Sequence, residues 1–264
     1  MRQVLPRQYL PLTSHDGDHD DGSRHTPRPH IPAALENFHY PQHNLLPIDA
    51  LTSGLALDIE TAWPDAAQGG QVDHLTLLHT SPAGRLHELP LPMPGPIHFP
   101  LRIWLPYQYL HEEGIAKVAF KVRNHTGALF ESETASFTLD GRVPNNGLAG
   151  SKPVVDDEVS SGPGVTQEYL RKHCNCVKFR IDRYPGQTVG DRIGLRLGGA
   201  NEPIQSYALV TRVDHDTVIL LDAEYFLDKP DGVHLAYYKL FSRAGKAGDN
   251  SKGTFIRIDL GPRS

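Results

Sequence analysis

The feature that most constrains this chain is a pattern that occurs twice. Tyr184-Pro185-Gly186 is followed by Gly190-Asp191, after which Ile193, Leu195 and Leu197 take alternate positions. Side chains on a strand alternate between two faces, so this spacing predicts a half-buried strand entered through Pro-Gly and Gly-Asp turns. Upstream, Trp63-Pro64 precedes Val72-Asp73, and Leu75 and Leu77 alternate after it. Counting along the chain extends the match. Asp73 and Asp191, Leu75 and Ile193, Leu77 and Leu195, Gly114 and Gly232, Phe120 and Tyr238, Lys121 and Lys239, Gly127 and Gly245, and Phe137 and Phe255 are each 118 residues apart; Ser132 and Ser251 are 119 apart. A near-constant offset across several segments predicts a duplicated structural unit.

Each copy holds about seven short alternating stretches separated by turn signals, the spacing of an antiparallel sandwich. The expected fold is therefore all-β: two tandem immunoglobulin-like β-sandwich units behind a disordered N-terminal tail. Residues 1–43 read as a flexible His/Asp/Pro-rich tail, with too little apolar surface to offset the entropy of ordering. Unit 1 is expected over 44–140 and unit 2 over 174–264. Between them, 141–173 begins with a run of Gly, Pro, Asn and Ser without periodicity, which reads as a flexible linker.

The net charge of −5 comes with no basic stripe, so nucleic acid is not an expected partner. No apolar run approaches the roughly 20 residues needed to span a bilayer. The N-terminal residues lack a continuous apolar core, so no signal peptide is seen, and a cytoplasmic location or secretion by a non-classical route is expected. The two cysteines, Cys174 and Cys176, lie too close together for a relaxed bridge, which leaves no disulfide scaffold.

Four groups of residues invite a chemical reading. Asp16 to Asp21, inside His15-Asp-Gly-Asp-His-Asp-Asp-Gly22, suggests a cation loop. The calcium-loop spacing fails, because the sixth position is Asp21 rather than Gly and the twelfth is Pro27 rather than Glu. His173, Cys174 and Cys176 form the sharpest candidate metal cluster, although ligands would have to be recruited from elsewhere. Trp104, Tyr107 and Tyr109 are the candidate ligand-binding aromatics, able to stack on a sugar or fill a protein contact. Pro185, Gly186, Gly190 and Asp191 read as structural turn residues, with Gly supplying positive φ and Asp bonding the local backbone. No HExxH, GxSxG or phosphate-cradling glycine loop occurs, so no enzyme activity and no cofactor are expected.

The pattern from Tyr184 through Gly190-Asp191, then Gly232 followed by Tyr237-Tyr238, then a last strand containing Ser251, is similar to bacterial immunoglobulin-like repeats. These occur in tandem in large adhesin-like proteins, particularly of pseudomonads. The resemblance covers Tyr184 to Asp259 well and Leu55 to Asp140 loosely, since unit 1 has Val72-Asp73 where unit 2 has Gly190-Asp191. It implies a non-enzymatic, adhesin-like interaction protein recognising a protein or glycan ligand. The alternatives are a carbohydrate-binding module using the three aromatics, and a metal-binding protein or secreted effector component. Oligomeric state is not legible.

Overall fold

The structure is a computed structural model that describes residues 24–37, 39–199 and 202–261. Sixteen strands among these residues build two sandwiches in chain order. The first contains β1 (Arg24–Thr26), β2 (Leu55–Ile59), β3 (Val72–Thr80), β4 (Leu86–Pro94), β5 (Leu101–Leu105), β6 (Gly114–Arg123), β7 (Leu129–Ser132) and β8 (Ala135–Leu139). Its larger sheet runs β1-β7-β6-β3-β4, with β8 also paired to β6, and it packs on the β2-β5 pair. The second contains β9 (Val165–Thr166), β10 (Cys176–Ile181), β11 (Arg192–Leu197), β12 (Ser206–Leu209), β13 (Thr217–Asp222), β14 (Gly232–Phe241), β15 (Ala247–Asn250) and β16 (Thr254–Asp259). Here the order is β12-β11-β14-β16-β9 with β15 on β14, packed on β10-β13.

The alternation seen in the sequence is the reason for this layering. Leu55, Leu57 and Ile59 face Leu75, Leu77, Phe120 and Phe137 across the first core. Val177, Phe179 and Ile181 face Ile193, Leu195, Tyr238 and Ile256 across the second. Each such large side chain withdrawn from water contributes about 1.5–3 kcal/mol, so the inward faces dominate the energetics. The registers also repeat. Leu75 pairs with Val122 and Leu77 with Phe120, as Ile193 pairs with Leu240 and Leu195 with Tyr238.

In both sandwiches the last strand is split. β7 and β8 share one edge of β6, and β15 and β16 share one edge of β14. A serine bridges each break. Ser132 Oγ accepts the Phe120 N–H at 2.9 Å, and Ser251 Oγ accepts the Tyr238 N–H at 2.9 Å. The extra residue in the second copy corrects one expected pairing. The counterpart of buried Phe137 is Ile256, at 1% exposure, whereas Phe255 faces solvent at 68%.

Two boundary expectations are corrected. The segment read as a flexible linker carries Val159, Val165, Tyr169 and Leu170, all buried in the second core. Val154 bridges Arg180, and β9 runs parallel to β16. Helices α1 (Asp157–Ser160) and α2 (Gln167–Lys172) lie in the same segment. Its polar, glycine-rich composition concealed this packing because the apolar residues follow neither strand nor helix period. Of the expected tail, the aspartate–histidine run lies outside the described residues. Residues 24–37 and 39–43, by contrast, are built into the fold: β1 joins β7, His30 bridges Asp58, and Ile31 is buried.

The edges of the two larger sheets differ. β4 pairs with β3 over nine residues and carries Pro90, Pro92 and Pro94. Backbone N–H groups alternate between the two edges of a strand, so three prolines of one parity remove donors from one edge only. The continuous β3 ladder places that edge outward, where it is blunted against strand addition. β12, at the equivalent edge of the second sheet, has no proline.

Candidate functional site

The two buried aspartates of the repeated pattern have matching environments. Asp73 accepts the Trp63 indole N–H at 2.7 Å and the Ala67 N–H at 2.9 Å. Asp191 accepts the Tyr184 hydroxyl at 2.9 Å and the Thr188 N–H at 3.1 Å. Each carboxylate therefore staples the loop before its strand to the sheet. Burial works to raise the Asp73 pKa, but hydrogen bonds from Trp63, Ala67 and His125 outweigh it and hold the carboxyl below its ordinary value. Burial beside Asp191 pushes the Tyr184 phenol up.

The copies differ in the third partner. Asp73 Oδ1 accepts the His125 N–H at 2.7 Å, from the turn after β6. The counterpart of His125 is Arg243, which turns away. It donates to the carbonyls of Gln42 and Glu36 and lies 4.0 Å from the Tyr40 ring centroid. Arg142, between the sandwiches, takes its place on Asp191, donating through both terminal nitrogens, and also donates to the Gly186 carbonyl at 2.9 Å. Gly190 lies inside this junction at φ +95°, and a Cβ there would come 2.8 Å from the Arg243 side chain and 2.9 Å from the Tyr40 ring. The Ile48 N–H donates to the Ala244 carbonyl at 2.8 Å. The units are thus bolted together. Nothing in the local sequence marks Arg142 as a partner for Asp191.

The three candidate aromatics do not form one platform. Trp104 stands on the outer face of β5, half exposed, beside Arg102, which is bidentate on Asp58. Tyr107 lines a cleft of about 240 Å³ at the junction, with Ile48, Leu110, Glu113 and Lys246. Tyr109 packs against His79 and His87, at centroid distances of 5.7 and 5.0 Å. His79 is fully buried with neither ring nitrogen partnered among the described residues, and burial, together with nearby His87, lowers its pKa.

His173 stacks on Tyr169 at 4.1 Å, Cys174 is exposed at φ +55°, and the Cys176 thiol approaches the His173 carbonyl at 3.1 Å. Among the described residues no group of three His, Cys, Asp or Glu side chains is placed to hold a metal ion. Pro185 and Gly186 lie in the turn before Asp191, and the carbonyl of Gly186 receives Arg142.

A different surface combines charge and aromatic area. The outer face of β11, β12 and β14 carries Arg192, Arg196 and Lys239 among Tyr207, Phe241 and Tyr237. Arg192 lies 5.9 Å from the Tyr207 centroid and 6.0 Å from that of Phe241, and Arg196 lies 6.0 Å from that of Tyr237. Gly194, between the two arginines, has no Cβ; one there would come 2.7 Å from Ile204 and 3.1 Å from the Tyr207 ring. Its absence lets Tyr207 lean over the strand while remaining 57% exposed. Arg192, Arg196 and Lys239 make no ion pair with the described residues. On the first sandwich the same positions are His74, Thr76, Leu78, Ala119, Lys121 and Arg123. There Lys121 pairs with Glu131, directly opposite, at 2.9 Å; opposite Lys239 stands Asn250. Alternating polar and aromatic residues look like ordinary solvent-facing positions in sequence, so only the sheet register reveals this patch.

No family model matches the sequence, and no characterised protein matches it significantly. Similar solved structures are immunoglobulin- or fibronectin-like domains and bacterial adhesin repeats. The FN1–FN3 domains of chicken CNTN1 give a TM-score of 0.42 at 14% identity, over 79% of this chain and 63% of that one. A 1.5-MDa bacterial ice-binding adhesin gives 0.36 at 11% identity, over 89% and 66%. A tetra-tandem repeat from the extending region of a large adhesion protein gives 0.26 at 14%, over 76% and 45%. The chain spans less than two thirds of each of these structures. No helix among the described residues is long and apolar enough to cross a membrane.

Proposed function

We propose that this chain is a non-enzymatic, adhesin-like recognition module, and that its recognising surface is the outer face of β11, β12 and β14. One observation carries the reading: the two copies agree inside and diverge outside. Leu75 and Ile193, Leu77 and Leu195, and Phe120 and Tyr238 hold the same inward positions. The outer face of the second copy instead gains Arg192 and Arg196, exchanges Arg123 for Phe241, adds Tyr207 and the buried Tyr237, and loses the carboxylate opposite its lysine. Folding does not require that change, since the first copy builds the same sheet without it. The bolted junction supports the reading further, because it presents this face in a fixed relation to the first unit and lowers the ordering cost of binding.

The sugar-platform reading based on Trp104, Tyr107 and Tyr109 loses its support because the three face different surroundings. The test is a glycan and protein array probed with the intact chain, the Arg192→Gln/Lys239→Gln variant and Trp104→Ala. Binding lost in the double variant and kept in Trp104→Ala is the expected result. Binding indifferent to the double variant, or lost with Trp104→Ala alone, overturns the assignment of the surface.

A further inference from the structure

We infer that the ligand of this face is a linear polysaccharide bearing carboxylates, a uronate-type acidic glycan. The inference rests on the recognition reading above and names the chemistry of its partner.

The guanidinium of Arg192 is confined by its neighbours. It lies about 6 Å from two aromatic centroids, those of Tyr207 and Phe241, which limit its freedom without neutralising it. A planar fork that is held in place and lacks a carboxylate partner matches a planar carboxylate through two parallel hydrogen bonds. Arg196 is held in the same way by Tyr237, and its Nε is buried without a hydrogen-bond partner among the described residues. Such an atom costs free energy until it is satisfied.

The spacing points to a polymer. Arg192 and Arg196 are four residues apart on one strand, about 13 Å at the usual rise per residue. Lys239 lies between them, because it pairs with Gly194 on the neighbouring strand. The cations thus follow the strand direction in a row, suited to a ligand that repeats its negative charge. Tyr207, leaning over Gly194 beside this row, offers an exposed ring for stacking against a sugar. The charges sit among the aromatics, in the middle of the patch. Arginine and tyrosine are enriched at protein–protein interfaces but lysine is depleted, and here Lys239 occupies the middle of the row.

The test uses the intact chain and isothermal titration with polygalacturonate, alginate, heparin, dextran and polyglutamate. The expected result is binding to the two uronate polymers, no binding to dextran, and an affinity that falls roughly ten-fold between about 0.05 and 0.2 M salt. Arg192→Gln and Lys239→Glu, both at partly or fully exposed positions, should each weaken uronate binding at least five-fold with unchanged circular dichroism. Tyr207→Thr should weaken it without changing the salt dependence. Should one variant fail to fold, the other two decide the matter. Preference for heparin overturns the carboxylate assignment in favour of sulfate, and preference for polyglutamate overturns it in favour of an acidic protein. Binding only to neutral glycans or other proteins, still abolished by Arg192→Gln, defeats this inference and leaves the recognition face standing. No effect of any face variant on any ligand defeats both.

Discussion

Arg142, three residues beyond the last strand of the first sandwich, donates through both terminal nitrogens to the buried carboxylate of Asp191 in the second. The equivalent carboxylate, Asp73, takes its third partner from its own sandwich. One copy is therefore self-contained, and the other is completed by its neighbour.

Removing Arg142 leaves Asp191 buried with only Tyr184 and Thr188 to satisfy it. Arg142→Ala is expected to destabilise the second sandwich by about 2–4 kcal/mol, the order expected when one partner of a buried pair is lost. Urea denaturation measures the loss. In a double-mutant cycle with Asp191→Asn, the coupling should exceed about 1 kcal/mol; additive effects would show that the bolt contributes little.

Trp63→Phe and Tyr184→Phe each delete one donor to a buried carboxylate while keeping an aromatic ring in place. Both should cost about 1.5–3 kcal/mol, the range for hydrogen bonds to charged groups. Thermal melts of the two variants should agree within about 1 kcal/mol, since the staples are equivalent. A neutral outcome in either would mean that the loop is held by packing alone.

His79 gives a pH dependence with a definite sign. Its folded pKa lies below the ordinary imidazole value of 6.5, so the folded state binds fewer protons than the unfolded chain. The neutral ring's contribution is fully present above the unfolded pKa and is lost as pH falls through that value toward the folded pKa. His87, Tyr109, Phe137 and Glu112 are the groups around it, and Glu112 works in the opposite direction. His79→Leu should flatten the stability profile between about pH 7 and 5. An unchanged slope would show that other groups dominate it. Asp73 adds a second, lower window: its folded pKa is depressed, so its contribution is present above the unfolded value and is lost as pH falls through the folded one.

Much of the interior was legible in the sequence. The period-two runs at Val177, Phe179 and Ile181 and at Leu75 and Leu77 face inward because nothing else decides a strand's orientation so strongly as its apolar face. Ser132 and Ser251 were correctly out of step with the other pairs, and the reason is physical: one extra residue enters the second copy before the break in its last strand. The same residue misplaced Phe255 as the partner of Phe137. The junction was not legible, since Arg142 and Asp191 are joined by folding and not by spacing. Nor was the cation–aromatic face, because it is assembled sideways across β12, β11 and β14 from residues that are individually unremarkable.

Gly190→Ala tests the junction from the other side. The left-handed φ and the approach of Tyr40 and Arg243 both oppose a methyl group there. The expected effect is a loss of at least about 1 kcal/mol. Faster amide exchange should appear at Ile48 and around Tyr40, whose surroundings depend on Arg243. Unchanged exchange at those sites would separate the N-terminal segment from the bolt.

The parallel pairing of β9 with β16, and of Leu45 with Thr138 in the first sandwich, has a mechanical meaning. In each unit an early segment lies alongside the last strand and runs in the same direction. Tension applied at the two ends of such a unit pulls these partners along their length in opposite senses, so their hydrogen bonds resist together in shear instead of opening one at a time. The bolt between Arg142 and Asp191 precedes β9 along the chain, so a pull arriving from the first unit loads the bolt first and passes to the β9–β16 pair only once the bolt has opened.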